Sequence, residues 1–137
     1  MYGSLTQASH LARDARRKAD VENIRGALES YRSNNGGYPD ALATLASTTP
    51  QYIKAVPTDP QTDAAYTYAP VTCTVVNTLN LCATYSISAG LETVHNGQYN
   101  ADPLGSVVTT PAKPTAVPIP TVPPLIPPTS AVATPMP

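Results

Sequence analysis

Apolar and polar positions along residues 5–35 recur with the period of a helix, and the stripe they draw changes character halfway. Val21, Ile24, Leu28 and Tyr31 stand at i, i+3, i+7 and i+10, which puts them on one face of an amphipathic helix that wants a sheet to lie against. Carrying that face backwards at about 100° per residue brings Arg17 and Arg13 onto it, where a local core cannot bury two unpaired guanidinium groups. The pattern predicts one long helix, core-facing in its second half. Its first half is expected to project beyond the globular body, with Arg13 and Arg17 facing water. Asn34-Asn35-Gly36-Gly37 closes the helix, because Asn and Gly accept the left-handed C-terminal conformation and Pro39 blocks continuation.

Beyond the helix, Asp40 is a candidate N-cap for a short helical turn with Leu42 and Leu45 as its apolar pair. The remainder of 36–64 reads as loop, broken by Pro50, Pro57 and Pro60 and pegged to the core by Tyr52, Ile53 and Val56. Ala65-Tyr66-Thr67-Tyr68 reads as a short strand ending at Pro70. Leu81–Glu92 alternates strictly, with Leu81, Ala83, Tyr85, Ile87, Ala89 and Leu91 against Cys82, Thr84, Ser86, Ser88, Gly90 and Glu92. Such period-two patterning belongs to a strand covered on one face and wet on the other. Asn96-Gly97 is a hairpin turn signal that returns the chain through Gln98-Tyr99, giving an antiparallel meander over about 65–100. The expected fold class is α+β, a long N-terminal spine helix packed on a small antiparallel sheet. Its helix–sheet core is Val21, Ile24, Leu28, Tyr31, Tyr85, Ile87 and Leu91.

The two cysteines sharpen this picture. A hairpin with Asn77-Thr78 as its loop pairs 76 with 79, 75 with 80, 74 with 81 and 73 with 82. Cys73 and Cys82 then form a non-hydrogen-bonded pair, whose Cα separation of about 4.5 Å suits a disulfide. Closing that ten-residue loop would stabilise by about 2.7 kcal/mol on the chain-entropy model. An irregular disulfide-closed loop is the alternative, since Asn-Thr is a poorer turn than Asn-Gly.

Composition divides the chain: ten of its sixteen prolines fall in 111–137. Residues 1–108 therefore form the expected domain, and 109–137 a Pro-rich, extended tail without a fold of its own. A disulfide in a chain with only 12% charged residues points to an oxidising compartment outside the cytoplasm. With no apolar run of about twenty residues, either the chain is cytosolic or an exporting segment precedes it.

Candidate chemistry is sparse. His10 and His95 lack neighbours at metal-ligand spacing, and Asp59, Asp63 and Asp102 match no alternating oxygen pattern, so no metal or cofactor is assigned and the aspartates read as loop solvation. No nucleophile–base constellation or phosphate-cradling loop can be assembled, and an enzyme is not expected. Six of the eight basic residues lie in the first 32 positions, and Arg13, Arg16, Arg17 and Lys18 form the one cluster. Asp14 to Lys18 and Arg16 to Asp20 are i, i+4 pairs that neutralise part of it, so no nucleic-acid partner is expected.

Taken in order, these stretches resemble the type IV pilin and type II secretion pseudopilin family, closest to major pseudopilins. The resemblance rests on Ala12-Arg13-Asp14-Ala15-Arg16-Arg17-Lys18-Ala19-Asp20 followed by Ile24, Leu28 and Tyr31. It continues through Asn35-Gly36-Gly37-Tyr38-Pro39, Val56-Pro57-Thr58-Asp59-Pro60, Tyr66-Thr67-Tyr68 and Tyr85–Glu92, covering about residues 8–92. It implies a spine helix on a small sheet and subunits that assemble into a filament through their spines. The basic cluster Arg13, Arg16, Arg17 and Lys18 would then face neighbouring subunits or membrane headgroups. The family's processing site and apolar half-helix are missing, so the chain looks like a soluble truncation and is expected to be monomeric. The Cys73–Cys82 segment looks inserted, and the family's calcium loop has no counterpart after Glu92. Two functions follow from the resemblance. One is a structural subunit of a cell-surface or periplasmic pilus or secretion pseudopilus, anchored in the inner membrane before assembly; the other is a minor pilin serving as a surface module for adhesion or DNA uptake.

Overall fold

The structure is a computed structural model and describes residues 3–110; the Pro-rich stretch from Pro111 onward lies outside the described residues. One helix, α1 (Gly3–Asn35), opens the chain and is followed by β1 (Tyr38–Pro39) and a single turn of helix, α2 (Thr44–Ser47). Four longer strands complete it: β2 (Thr67–Val76), β3 (Leu79–Gly90), β4 (Gln98–Asp102) and β5 (Gly105–Thr109). All strand pairs are antiparallel, so the fold is α+β with the helix against a small antiparallel sheet. β3 is the centre: β2 pairs along one side, β1 and then β4 along the other, and β5 extends the sheet beyond β4.

The helix stops where the backbone turns left-handed at Gly36 (φ +85°), whose N–H closes back on the Arg32 carbonyl. Its apolar stripe meets the sheet as the periodicity requires, with Val21, Ile24 and Leu28 fully buried together with Tyr85 and Ile87. Aromatic packing fills the helix's C-terminal end, with Tyr31 edge-on to Tyr52 at 5.2 Å and Tyr38 edge-on to Tyr85 at 4.7 Å.

The β2–β3 hairpin turns at Asn77-Thr78, both left-handed (φ +47° and +70°), and its register pairs Cys73 with Cys82. The two are joined by a disulfide with their Cα atoms 3.8 Å apart. Four features depart from the pattern. β2 does not end at Pro70 but runs through it to Val76, which an edge strand tolerates because among the described residues it has no second neighbour to receive an N–H. Around Cys82 the alternation inverts: Cys82 is buried, pairing with Tyr38 of β1 as well as with Cys73, whereas Ala83 is exposed. The strand expected to continue to Glu92 ends at Gly90, and residues 91–97 form a longer connection in place of a tight Asn-Gly hairpin. A further hairpin, β4–β5, carries the sheet to Thr109, past the expected limits of both sheet and tail. Asp102 shapes its turn by accepting hydrogen bonds from the N–H groups of Leu104 and Gly105 through Oδ1.

Candidate functional site

The largest concentration of charge lies where the first half of α1 meets two loops. Arg17, on the core-facing stripe, is 3% exposed. Its Nε donates to Asp59 Oδ2 at 2.5 Å, and its Nη1 donates to Asp14 Oδ1 at 2.8 Å and to Glu92 Oε1 at 2.6 Å. Nη2 completes a fork onto Asp59 Oδ1 at 3.2 Å. Asp14 stands one helical turn before Arg17 and so shares its face. Its carboxylate also accepts from the N–H groups of Glu92 and Thr93 and from the Thr93 hydroxyl, between 2.6 and 3.1 Å. Arg13, a further turn up, grips Glu92 with two bonds of 2.7 and 2.6 Å, and His10 Nε2 lies 3.5 Å from the same carboxylate.

This geometry corrects the expectation that Arg13 and Arg17 face water. The unpaired guanidinium that could not be buried is not unpaired: Asp59 comes from the loop before β2, and Glu92 from the connection after β3. Arg13 is also engaged but keeps about a quarter of its side-chain surface open. Asp59 is correspondingly no solvated loop residue. Besides Arg17 it holds its own turn by accepting from the N–H groups of Gln61 and Thr62. The expected Asp14–Lys18 pair does not form, because Asp14 turns inward to the loop while Lys18 Nζ lies 5.9 Å from the centre of the Tyr99 ring. Arg16 alone of the basic cluster is largely exposed, 3.9 Å from Asp20. As an expected subunit surface, the cluster is thus split between inside and outside.

Electrostatics follow from these contacts. Burial would raise the Asp14 carboxyl, but the bonds from Thr93, the Glu92 N–H and Arg17 outweigh it and hold its pKa at about 2. Arg13, and then Arg17, bring Glu92 down to about 2 from the ordinary glutamate value. The Arg17 fork depresses Asp59 still further, and the same three carboxylates raise the guanidinium of Arg17.

A second set of polar contacts runs down the helix. Tyr66, Tyr99 and Tyr38 donate their hydroxyls to Asp20, Glu22 and Glu29 at 2.8 to 2.9 Å, so each ring packs in or beside the core while its oxygen pins a helix carboxylate. The Tyr85 hydroxyl is the exception among the described residues, buried with no partner.

Each carboxylate of the network is held by a donor within the chain. Among the described residues no group of three or more His, Cys, Asp or Glu is arranged to hold a metal ion, and no helix is long and apolar enough to cross a membrane. What this arrangement does is mechanical: it ties two loops to the helix. Asp14, Asp59, Glu92 and Thr93 are the members that sequence reasoning missed. A signal existed, because an arginine on a core-facing stripe demands a buried acidic partner. Compared with known proteins, the chain matches no family model, no curated protein and no solved structure.

Proposed function

We propose that this chain is a structural subunit of an extracellular or periplasmic filament of the type IV pilus or secretion pseudopilus kind, with α1 as the assembly spine. One observation carries the reading: α1 is 33 residues, about 50 Å of rigid helix, and it serves its own domain over only part of that length. From Arg13 to Asn35 it is bound to the sheet and loops, with His10 Nε2 3.5 Å from the Glu92 carboxylate, while residues 3–8 are exposed throughout and Leu5 and Leu11 are 72% and 55% exposed. A helix that is anchored this firmly and then runs on past its body suits a spine better than it suits the wall of a binding cleft. The resemblance through Ala12–Asp20, Tyr38-Pro39 and Tyr85–Glu92 supports the same role, non-catalytic and carried out at the cell surface.

The test is localisation in the source cells with an antibody raised against the folded domain. The expected result is recovery in the filament fraction sheared from cells, with label repeating along filaments. Recovery solely from the cytoplasmic fraction would overturn the reading. Label confined to filament tips would replace it with that of a minor, surface-binding subunit.

A further inference from the structure

Two surface cavities of similar size differ in the chemistry they offer. One, of about 520 Å³, lies between the start of α1 and the connection after β3, but its carboxylate, Glu92, already has both oxygens taken by Arg13 and Arg17. The other, of about 510 Å³, sits at the far end of the helix, and no charged residue lines it. Three segments wall it: Tyr31, Asn34 and Asn35 from the last turns of α1, Thr49 and Tyr52 from the stretch after α2, and Leu79 from the start of β3.

The walls are fixed to one another. Tyr31 packs edge-on against Tyr52, whose hydroxyl accepts from the side-chain amides of Asn34 at 3.1 Å and Asn35 at 3.3 Å. Asn35 also donates to the Tyr31 carbonyl at 2.9 Å, and the backbone N–H of Tyr52 donates to the Leu45 carbonyl at 3.0 Å. On the asparagines these bonds use amide hydrogens alone. Their side-chain carbonyl oxygens, the Tyr52 hydroxyl proton and the Thr49 hydroxyl have no partner among the described residues. Asn34 and Thr49 are exposed and Tyr52 is half-buried, so donors and acceptors stand open around an aromatic ring.

A matching ligand has hydroxyls that both give and accept hydrogen bonds, an apolar face to lay on the ring, and no charge. A pyranose sugar has all three, with hydroxyls on its rim and a C–H face that packs on aromatics. A phosphate or carboxylate would find no cation here, and an amine no carboxylate. The volume lies within the range of about 300–1,000 Å³ usual for small-molecule sites. We propose that this cleft binds a neutral sugar residue, packed on Tyr52 and hydrogen-bonded by Asn34, Asn35 and Thr49. So few contacts make a weak site, with Kd of about 1 to 10 mM. The cleft is walled by the anchored end of α1 and owes nothing to the projecting end on which the spine reading rests.

Amide-resolved NMR of the full 137-residue chain, titrated separately with glucose, galactose, mannose and N-acetylglucosamine to about 100 mM, tests it. The expected result is saturable shifts at residues 31–35, 48–52 and 79 with at least one of the four, while residues 85–89 stay in place. Asn34→Ala and Thr49→Val, both at exposed positions, should each weaken that binding by about threefold to tenfold with the rest of the spectrum unchanged. Asn100→Ala, on the sheet, should leave it as it was. No saturable shift with any of the four sugars overturns the proposal, as does binding undiminished in the double variant Asn34→Ala/Thr49→Val. Glucuronate bound at the same residues more tightly than glucose overturns the neutral class of ligand. None of these outcomes bears on the spine, whose test is the filament fraction.

Discussion

At the scale of single residues, Arg17 carries the most consequence. One guanidinium satisfies three carboxylates from three segments, so its removal strands three buried or half-buried negative charges at once. Arg17→Met keeps much of the volume and deletes the charge. It is expected to destabilise the domain by about 3–5 kcal/mol, the range for breaking one side of a buried ion pair. The melting temperature should fall by about 12 °C or more. Arg13→Met should cost clearly less, since that side chain is more open and Arg17 still holds Glu92. Thermal unfolding of the two variants side by side checks this ordering, and equal, small shifts would show that the network adds little. Position on the stripe was legible from spacing alone. The partners were not, because Asp59 and Glu92 lie 42 and 75 residues away along the chain.

Among the elements, those with strong local signals formed where the pattern placed them. The helix ends at its Asn-Gly cap. The Asn77-Thr78 loop carried a weaker signal, and of its two open arrangements the regular hairpin forms, with the register that joins the cysteines. That disulfide clamps the outer part of the β2–β3 hairpin, where Val75, Val76 and Leu79 are exposed and little else holds the strands. Replacing both cysteines by Ser should therefore cost about 2.7 kcal/mol on the chain-entropy model. The loss should appear as faster amide exchange over 73–82, with 85–89 still protected by the core. Uniform loss across all of β3 would contradict so local a role. Elements set by competition were less legible. Alternation alone would carry β3 to Glu92, but Asp14 accepts from the N–H groups of Glu92 and Thr93 and diverts them from any ladder, so the strand stops at Gly90. The β4–β5 hairpin announced itself only through Asp102-Pro103-Leu104-Gly105, a turn whose Asp side chain closes it.

For the molecule as a whole, the helix is held by two kinds of force. Residues 21–31 are held by apolar burial, and residues 13–17 mainly by ionised carboxylates and guanidiniums. These respond differently to acid. Asp14 and Glu92 have folded-state pKa values of about 2, below the ordinary carboxylate range, so folding favours their charged form. Their contribution is fully present above about pH 4.5 and is lost as pH falls through about 4 toward 2. The urea midpoint should be level from about pH 7 to 5 and decline below about 4.5. Hydrogen exchange over 91–97 should rise first while residues 24–31 stay protected. A midpoint unchanged down to about pH 2 would mean that these carboxylates are no better stabilised in the fold than in the unfolded chain.

The sequence by itself determined what depends on neighbours a few residues apart: the helix and its cap, the apolar stripe and the alternation over residues 85–89; for the Cys73–Cys82 segment it left a regular hairpin and an irregular loop both open, and the structure has the hairpin. What it determined follows from local geometry that repeats every 2 or 3.6 residues. Tertiary structure alone decided which side of the helix's first half is buried and what holds it there. Burying Arg17 depends on carboxylates that two distant loops deliver only once the sheet has formed, and no periodicity within the helix encodes their arrival.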